Sequence, residues 1–327
     1  MYMNGKRMTL DEYWKNFDLG KEVSIAGSFI YNGIRTFHEM GSLYHEEEVF
    51  EFLYFISVGV ERLQKIAIIL AEHDSITDKE AFEKSLITHS HQELANRLKK
   101  ARGLDFGSPQ NEFLTILSRF YKTHRYGRYV LASVTNRERE REALIAFLEK
   151  HLSVKIDNES FFVTHNDKRF KAFIGRVLKK ICLPLYELIR KEARRLNLYT
   201  YKIRYGSKAS KIFQFEDFDF IKEDILTKEL LLYFVAAKKQ GANSELMRES
   251  DALPFDPALE GEYIQALSSD EKKLSILEEL KHLYEDHISD FKDRQGLLHA
   301  FSSEHLSYGD EDEDENCNDI FDEDIPE

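Results

Sequence analysis

The stretch EEEVFEFLYFISVGVERLQKIAIILAEH, residues 46–73, decides the fold class of this chain. Apolar side chains recur in it at helical spacing, and three glutamates open it at the end where the helix dipole favours negative charge. The recurring apolar positions are Phe52, Phe55, Ile56, Val60, Leu63, Ala67 and Leu70. This pattern predicts a long amphipathic helix that buries one face against other helices.

Helical patterns continue on both sides of this stretch. Further helices are expected at 10–40, 91–102, from Ser108 to about Gly127, 137–151, 168–197, 226–239 and 270–290. Gly103 ends one of them, and Pro184 is expected to kink the long one. A short hairpin is predicted at 154–163 and a strand within 199–215. The sequence therefore predicts a mostly α protein, an N-terminal antiparallel helical bundle with additional C-terminal helices.

Composition narrows the class of protein. Gly and Pro number only 15 and 5, and 42% of the residues are hydrophobic, which suits a large helical core. The two cysteines, Cys182 and Cys317, are far apart, so neither a disulfide framework, a metal site nor a cofactor is expected. No apolar run reaches ~18 residues, and the first residues lack the apolar segment of a secretory signal. We therefore expect a cytoplasmic protein without a membrane partner.

Negative charge is concentrated near the C-terminal end. The net charge is −13, but residues 310–327 hold 11 acidic residues and no Lys or Arg, so the other residues carry only −2. A block of like charges repels itself, which predicts a disordered acidic tail at 309–327. The tail either keeps the chain in solution or mimics nucleic acid over a basic surface.

Positive charge is concentrated within the body of the chain. Between Lys168 and Lys211 there are 14 Lys and Arg against Glu187 and Glu192. A second basic cluster covers residues 97–128, and tyrosines are interleaved in both, a combination that suits phosphate binding and base stacking. Ordinary solvated helix faces are the alternative. The candidate RNA-binding residues are Lys122, Arg125, Arg128, Arg190, Arg194 and Arg195.

The octapeptide RFYKTHRY, which begins at Arg119, combines a cation, an imidazole and a phenol. Arg119, His124 and Tyr126 have the spacing Arg-x4-His-x-Tyr. This resembles the motif of HEPN (higher eukaryotes and prokaryotes nucleotide-binding) domains, in the form typical of HEPN toxins paired with minimal nucleotidyltransferase antitoxins. The resemblance covers about residues 10–135. It departs from the family at Phe120, where a polar residue is usual.

The resemblance implies a metal-independent endoribonuclease of bacterial conflict, either a toxin or an anti-phage effector. A histidine can take the proton of a ribose 2′-hydroxyl or give one to the leaving oxygen, while an arginine holds the scissile phosphate. Arg119 and His124 are therefore the candidate catalytic residues, and Tyr126 is the candidate site of regulation or modification. His89 and His91 are alternative proton carriers, unless they only cap or pack a helix end.

Geometry constrains how such a site is assembled. The spacing also occurs at Arg294–His299, near the acidic tail, and there we interpret it as an ordinary pair on a helix surface. Residues five apart lie about 140° around a helix, so Arg119 and His124 cannot share a face of a straight helix. Either the helix distorts near Gly127 or a second copy completes the site, as in dimeric HEPN ribonucleases. The expected partners are RNA, a second copy, and a cognate antitoxin or defence-system protein.

The predicted domains are a HEPN-like bundle at 1–213, a C-terminal helical region at 214–308 and the acidic tail at 309–327. Two other functions stay open. One is a non-catalytic HEPN-like subunit that binds RNA or a protein of a defence complex, which the unusual Phe120 favours. The other is an interaction protein whose acidic tail mimics nucleic acid.

Overall fold

The computed structural model describes residues 2–3, 6–121, 131, 140–157, 164–237 and 252–302. The chain divides into two compact units, residues 1–219 and residues 220–327. Within the described ranges both are helical, apart from an antiparallel pair of two-residue strands, β1 (Tyr2–Met3) and β2 (Lys6–Arg7). No helix in these ranges has the length and apolar character needed to cross a membrane. The prediction of a mostly α protein is confirmed.

The helices of the first unit begin and end where the sequence supplies capping residues. They are α1 (Leu10–Tyr13), α2 (Leu19–Glu39), α3 (Glu46–Glu72), α4 (Lys79–Ser85), α5 (His91–Arg102), α6 (Ser108–Arg119), α7 (Glu140–Leu152), α8 (Lys168–Arg195) and α9 (Lys208–Phe213). A π-helical turn, Trp14–Asp18, joins α1 to α2. Asp78, Ser90 and Asp167 each accept a bond from a backbone N–H of the following first turn. Gly103 ends α5 in the left-handed conformation, at φ 71°.

Helices α2 and α3 form an antiparallel pair at the centre of this unit. Near their connecting turn the rings of Phe37 and Phe52 lie 4.8 Å apart, and further from the turn Gly59 packs on Ile30. A Cβ at Gly59 would lie only 2.6 Å from Ile30 Cγ1, so glycine is what allows the two helices to approach this closely. The apolar stripe predicted from sequence is largely the buried face of α3.

Helix α8 runs parallel to α3 and is tied to the α2–α3 pair at both ends. Just before α8, Asn166 Nδ2 donates to the carbonyl oxygens of Phe37, at 2.7 Å, and Met40, at 3.1 Å. At the other end, Arg195 Nη2 donates to the carbonyl of Leu70, at 3.2 Å. These bonds satisfy carbonyl groups that the ends of α2 and α3 leave without a helical partner.

The second unit is organised around a buried charge. Its helices are α10 (Ile221–Ala237), α11 (Glu260–Ser268), α12 (Asp270–His287) and α13 (Phe291–Ser302). Glu229 is fully buried and accepts hydrogen bonds from Arg294, at 2.8 and 2.5 Å, and from the Tyr284 hydroxyl, at 2.6 Å. The interpretation of Arg294 as a helix-surface residue is therefore wrong. Its guanidinium neutralises a buried carboxylate, which makes it a structural cation.

Two further expectations about local structure need comment. The strand expected within 199–215 is absent from this described segment, which forms turns followed by α9, because Ser207 caps a helix there. Residues 154–157 are irregular, and the remainder of the predicted hairpin, 158–163, lies outside the described residues. Helix α8 continues through Pro184 as a single element.

Candidate active site

Only part of the Arg-x4-His-x-Tyr motif lies within the described residues. Arg119 is the last residue of α6 and is exposed, and the next two residues begin a π-helical turn. Phe120 is fully buried, with its ring 5.0 Å from that of Phe50, so the residue after the motif arginine belongs to the core. The other motif and basic residues of this segment lie outside the described residues, and their roles remain predictions: Lys122, His124, Arg125, Tyr126 and Arg128.

His89 connects the end of α6 to the middle of α3. Its ring stacks on that of Tyr121, with centroids 4.3 Å apart and an interplanar angle of 29°. Its Nδ1 atom lies 3.0 Å from Glu61 Oε2, while Lys65 donates to the other oxygen of Glu61 at 2.7 Å. The His89 side chain is 47% exposed, whereas that of Glu61 is only 11% exposed. Solvent therefore reaches an imidazole that rests on a largely buried carboxylate, two residues from Arg119.

Polar contacts between α5 and α6 hold this group in place. The backbone N–H of Gln92 donates to Ser118 Oγ at 3.2 Å, and Gln92 Nε2 donates to Asn111 Oδ1 at 3.4 Å. Ser90 caps the start of α5. Because the first turn of α5 is fixed against α6, His89 lies immediately before the cap with its ring over α3.

His91, the other candidate proton carrier, has a structural environment. Its side chain is fully buried, and its Nε2 lies 2.9 Å from the carbonyl of Ser57. Gln64 Nε2 in turn donates to the His91 carbonyl at 2.9 Å. Burial lowers the pKa of His91 below the ordinary histidine value. This histidine fastens α5 to α3, and solvent does not reach its ring.

Part of the predicted RNA-binding set on α8 has partners within the protein. Arg190 donates to Glu187 at 2.9 Å, and Arg195 donates to the buried carboxylate of Glu192 at 2.6 Å. Arg194 lies over a tyrosine ring, 5.4 Å from its centroid. Arg195 therefore contributes to the packing of α8, whatever its contact with RNA.

A different set of cations on α8 is exposed and, as far as the described residues go, without an ion pair. These residues, the α8 ridge, are Arg169, Arg176, Lys180 and Lys191. Their spacings of 7, 4 and 11 residues place them within about 60° around the helix and along roughly 33 Å of its length. The ridge is thus a single line of positive charge, the arrangement that a polyanionic strand would follow.

One group of side chains has the composition of a metal site. Asp11, His73 and Asp74 each bring one ligand atom within 4.8 Å of the others. However, Lys15 is buried and pairs with both carboxylates, at 2.7 Å in the case of Asp11. Burial, aided by the charges of Lys15 and Lys79, lowers the pKa of His73. Because the Lys15 ammonium already neutralises the carboxylates, we assign this group to the packing of α1 and assign no metal to it.

Comparison of the chain with protein-family models, with curated proteins and with solved structures gives no match. The functional argument therefore rests on the residues themselves. Sequence reasoning read Glu61 only as the i,i+4 partner of Lys65, and the structure does show that ion pair. It missed the contact of Glu61 with His89, which joins residues 28 apart in sequence. The only signal available for it was a histidine directly before a capping serine.

Proposed function

We propose that this chain is a metal-independent endoribonuclease with a HEPN-like helical bundle, which cleaves RNA by attack of the ribose 2′-hydroxyl. The supporting observation is the pairing of an exposed guanidinium with an exposed imidazole. Arg119 ends α6, and two residues later Tyr121 stacks on His89. Guanidinium binds phosphate oxygens and imidazole moves protons near neutral pH, which are the two tasks of this reaction. A role in a toxin–antitoxin or anti-phage system rests on the motif resemblance.

The proposed roles divide the reaction between the motif residues. Arg119 binds the scissile phosphate and stabilises the negative charge that grows on it during attack. His124 transfers a proton to or from the reacting oxygens. The 2′-oxygen forms a bond to phosphorus as the bond to the 5′-oxygen breaks, which leaves a 2′,3′-cyclic phosphate and a 5′-hydroxyl. None of these steps needs a metal ion.

The proposal also covers partners and control. The about 140° between Arg119 and His124 on a regular helix suggests that a second copy completes the site. The α8 ridge would carry the RNA strand. If a cognate nucleotidyltransferase modifies Tyr126, the added phosphate would place negative charge beside the site and repel RNA.

The test is RNA cleavage by the wild-type protein and by Arg119→Ala and His124→Ala. Each variant should lose about 10²-fold or more in cleavage rate, because each removes a group that acts in the transition state. Helix content and melting temperature should not change for Arg119→Ala, since that side chain is exposed. Lys84→Ala, at an exposed site on α4, is the matched control and should cleave normally. Full activity in either motif variant contradicts the assignment.

A second candidate is a non-catalytic subunit that binds RNA. The observation that favours it is Phe120, which is fully buried against Phe50 where the family usually has a polar residue. On this alternative the wild-type protein binds RNA with the salt dependence expected of the α8 ridge and leaves the strand intact. The cleavage assay therefore separates the two functions directly.

A further inference from the structure

We propose that His89 is a second proton-transfer residue of this site and that Glu61 is its positioning residue. This inference rests on the proposed function, and it adds a catalytic group that lies outside the motif. It concerns the class of substrates with a ribose 2′-hydroxyl next to a phosphodiester. The argument uses only the contacts among α3, α6 and the segment that precedes α5.

The contact between Glu61 and His89 selects one form of the imidazole. With Glu61 Oε2 3.0 Å from Nδ1, the proton of a neutral ring belongs on Nδ1, where the carboxylate accepts it. The free lone pair then resides on Nε2, the nitrogen that can accept a proton from a substrate. A carboxylate that orients a histidine in this way is a recurring device of general-base catalysis.

The carboxylate is itself held in place. Glu61 is 11% exposed and lies on α3, the most buried helix of the unit. Lys65, one turn further along, donates to its other oxygen at 2.7 Å, so the two oxygens have separate partners. A charge fixed on a packed helix does not need to reorganise when the imidazole changes its protonation state.

Tyr121 fixes the plane of the imidazole. The two rings are 4.3 Å apart and inclined by 29°, an offset stack that covers one face of His89. The edge of the ring remains accessible, because 47% of the side chain is exposed. Tyr121 follows Arg119 by two residues, a rise of about 3 Å along the helix. A phosphate held by Arg119 is therefore close to the accessible edge of His89.

Two proton transfers are needed, and two histidines would divide them. One histidine takes the proton from the 2′-hydroxyl as the 2′-oxygen bonds to phosphorus. The other, already protonated, gives its proton to the 5′-oxygen as the phosphorus–oxygen bond breaks. After release of the products, a proton passes through water from the first histidine to the second, so no net proton is consumed. His89 fills one role and His124 the other.

Other histidines of the first unit serve as comparisons. His91 is two residues away but is fully buried, so it has no access to substrate. His45 is 56% exposed and lies 3.7 Å from Glu47, which makes it an exposed histidine beside a carboxylate without a stacked tyrosine. It is sixteen residues before Glu61, or about 24 Å along α3. His45→Ala is therefore a matched control for His89→Gly.

The experiment measures steady-state cleavage of a 5′-labelled RNA by the full chain. We expect His89→Gly to lower kcat by about 10²-fold or more with a KM within about twofold of wild type. Added imidazole should restore part of kcat in His89→Gly, while sodium chloride of the same ionic strength should not. Glu61→Gln, which keeps an acceptor but loses the charge, should lower kcat by about 10-fold at similar KM. His45→Ala should match the wild type.

The outcomes distinguish the two proposals. If the wild type cleaves RNA and His89→Gly keeps its full kcat, the role of His89 is overturned and the nuclease stands. The role is also overturned if kcat falls without rescue by imidazole and the melting temperature falls with it, since that pattern indicates a structural histidine. If the wild type does not cleave RNA at all, the proposed function fails, and the role of His89 fails with it.

Discussion

Arg195 donates from Nε to Glu192 Oε2 over 2.6 Å, and Arg102 donates to the other oxygen of the same carboxylate over 2.7 Å. Glu192 is only 2% exposed. Although burial alone would raise the pKa of Glu192, the bonds from Arg102 and Arg195 hold it below its ordinary value. Two residues of the basic cluster therefore form an ion network between α5 and α8. Charge in the sequence does not show which cations are committed in this way.

The first prediction contrasts Arg195 with the α8 ridge. Arg195→Ala should lower the free energy of unfolding by about 1–2 kcal/mol, because it removes one partner of a buried carboxylate. Arg176→Ala and Lys180→Ala should change it by less than about 0.5 kcal/mol, since both side chains are exposed. Urea unfolding monitored by circular dichroism measures this difference.

RNA binding should show the opposite order. Loss of a phosphate contact reduces the slope of log K against log salt by about 0.7 for single strands, so the Arg176→Ala/Lys180→Ala double variant should lose about 1.4. Fluorescence anisotropy with a short labelled RNA gives the slope. An unchanged slope in the double variant would show that the strand does not follow the α8 ridge.

The second prediction concerns self-association. If two copies complete each site, the protein should be a dimer at micromolar concentration by light scattering. Mixing inactive Arg119→Ala with inactive His124→Ala should then restore part of the cleavage activity, because one of the mixed sites has both groups. A monomer with full activity would favour the other solution, a distorted helix within one chain.

The third prediction is loss of stability in mild acid. Burial lowers the pKa of His91, so the unfolded chain takes up a proton more readily than the folded one. The stabilisation is complete above the ordinary histidine pKa, about 6.5, and is lost as pH falls below it. The free energy of unfolding should therefore decrease between pH 7.5 and 5.5. His91→Gln, which retains a donor for the Ser57 carbonyl, should show a smaller decrease, and an equal decrease would assign the effect elsewhere.

The fourth prediction concerns the acidic segment 310–327, which lies outside the described residues. Its 11 negative charges can compete with RNA for the exposed cations of α8. Deletion of 310–327 should tighten RNA binding at 50 mM salt, and the gain should shrink as salt screens the contact. Equal affinity of the full-length and truncated chains at low salt would leave the segment as a solubilising tail.

The sequence predicted the long helices well because each carries its own periodic and capping signals. The helix predicted at 91–102 is found with those bounds, since Ser90 and Gly103 mark both of its ends. Short elements escaped prediction, among them α4 and α9, because one or two turns hold too few apolar positions to set a period. The apparent strand at 199–215 failed because its alternating residues occupy turns.

The candidate site was predictable only in part. Arg119 could be chosen because its motif lies within one stretch of chain. The His89–Glu61 contact could not, because it depends on how α5 and α3 pack, and spacing along the chain carries no information about that. Exposure was equally hidden: His89 and His91 look alike in sequence, yet the first is half exposed and the second fully buried.

The most direct test of the central claim is the identity of the RNA ends produced in the presence of EDTA. A labelled RNA is incubated with the wild-type protein, and the fragments are examined by mass spectrometry, with a substrate carrying 2′-deoxyribose at the cleaved position as the control. The account predicts undiminished cleavage in EDTA, fragments ending in a 2′,3′-cyclic phosphate and a 5′-hydroxyl, and no cleavage of the control. Fragments with a 3′-hydroxyl and a 5′-phosphate, loss of activity in EDTA, or intact RNA would contradict it.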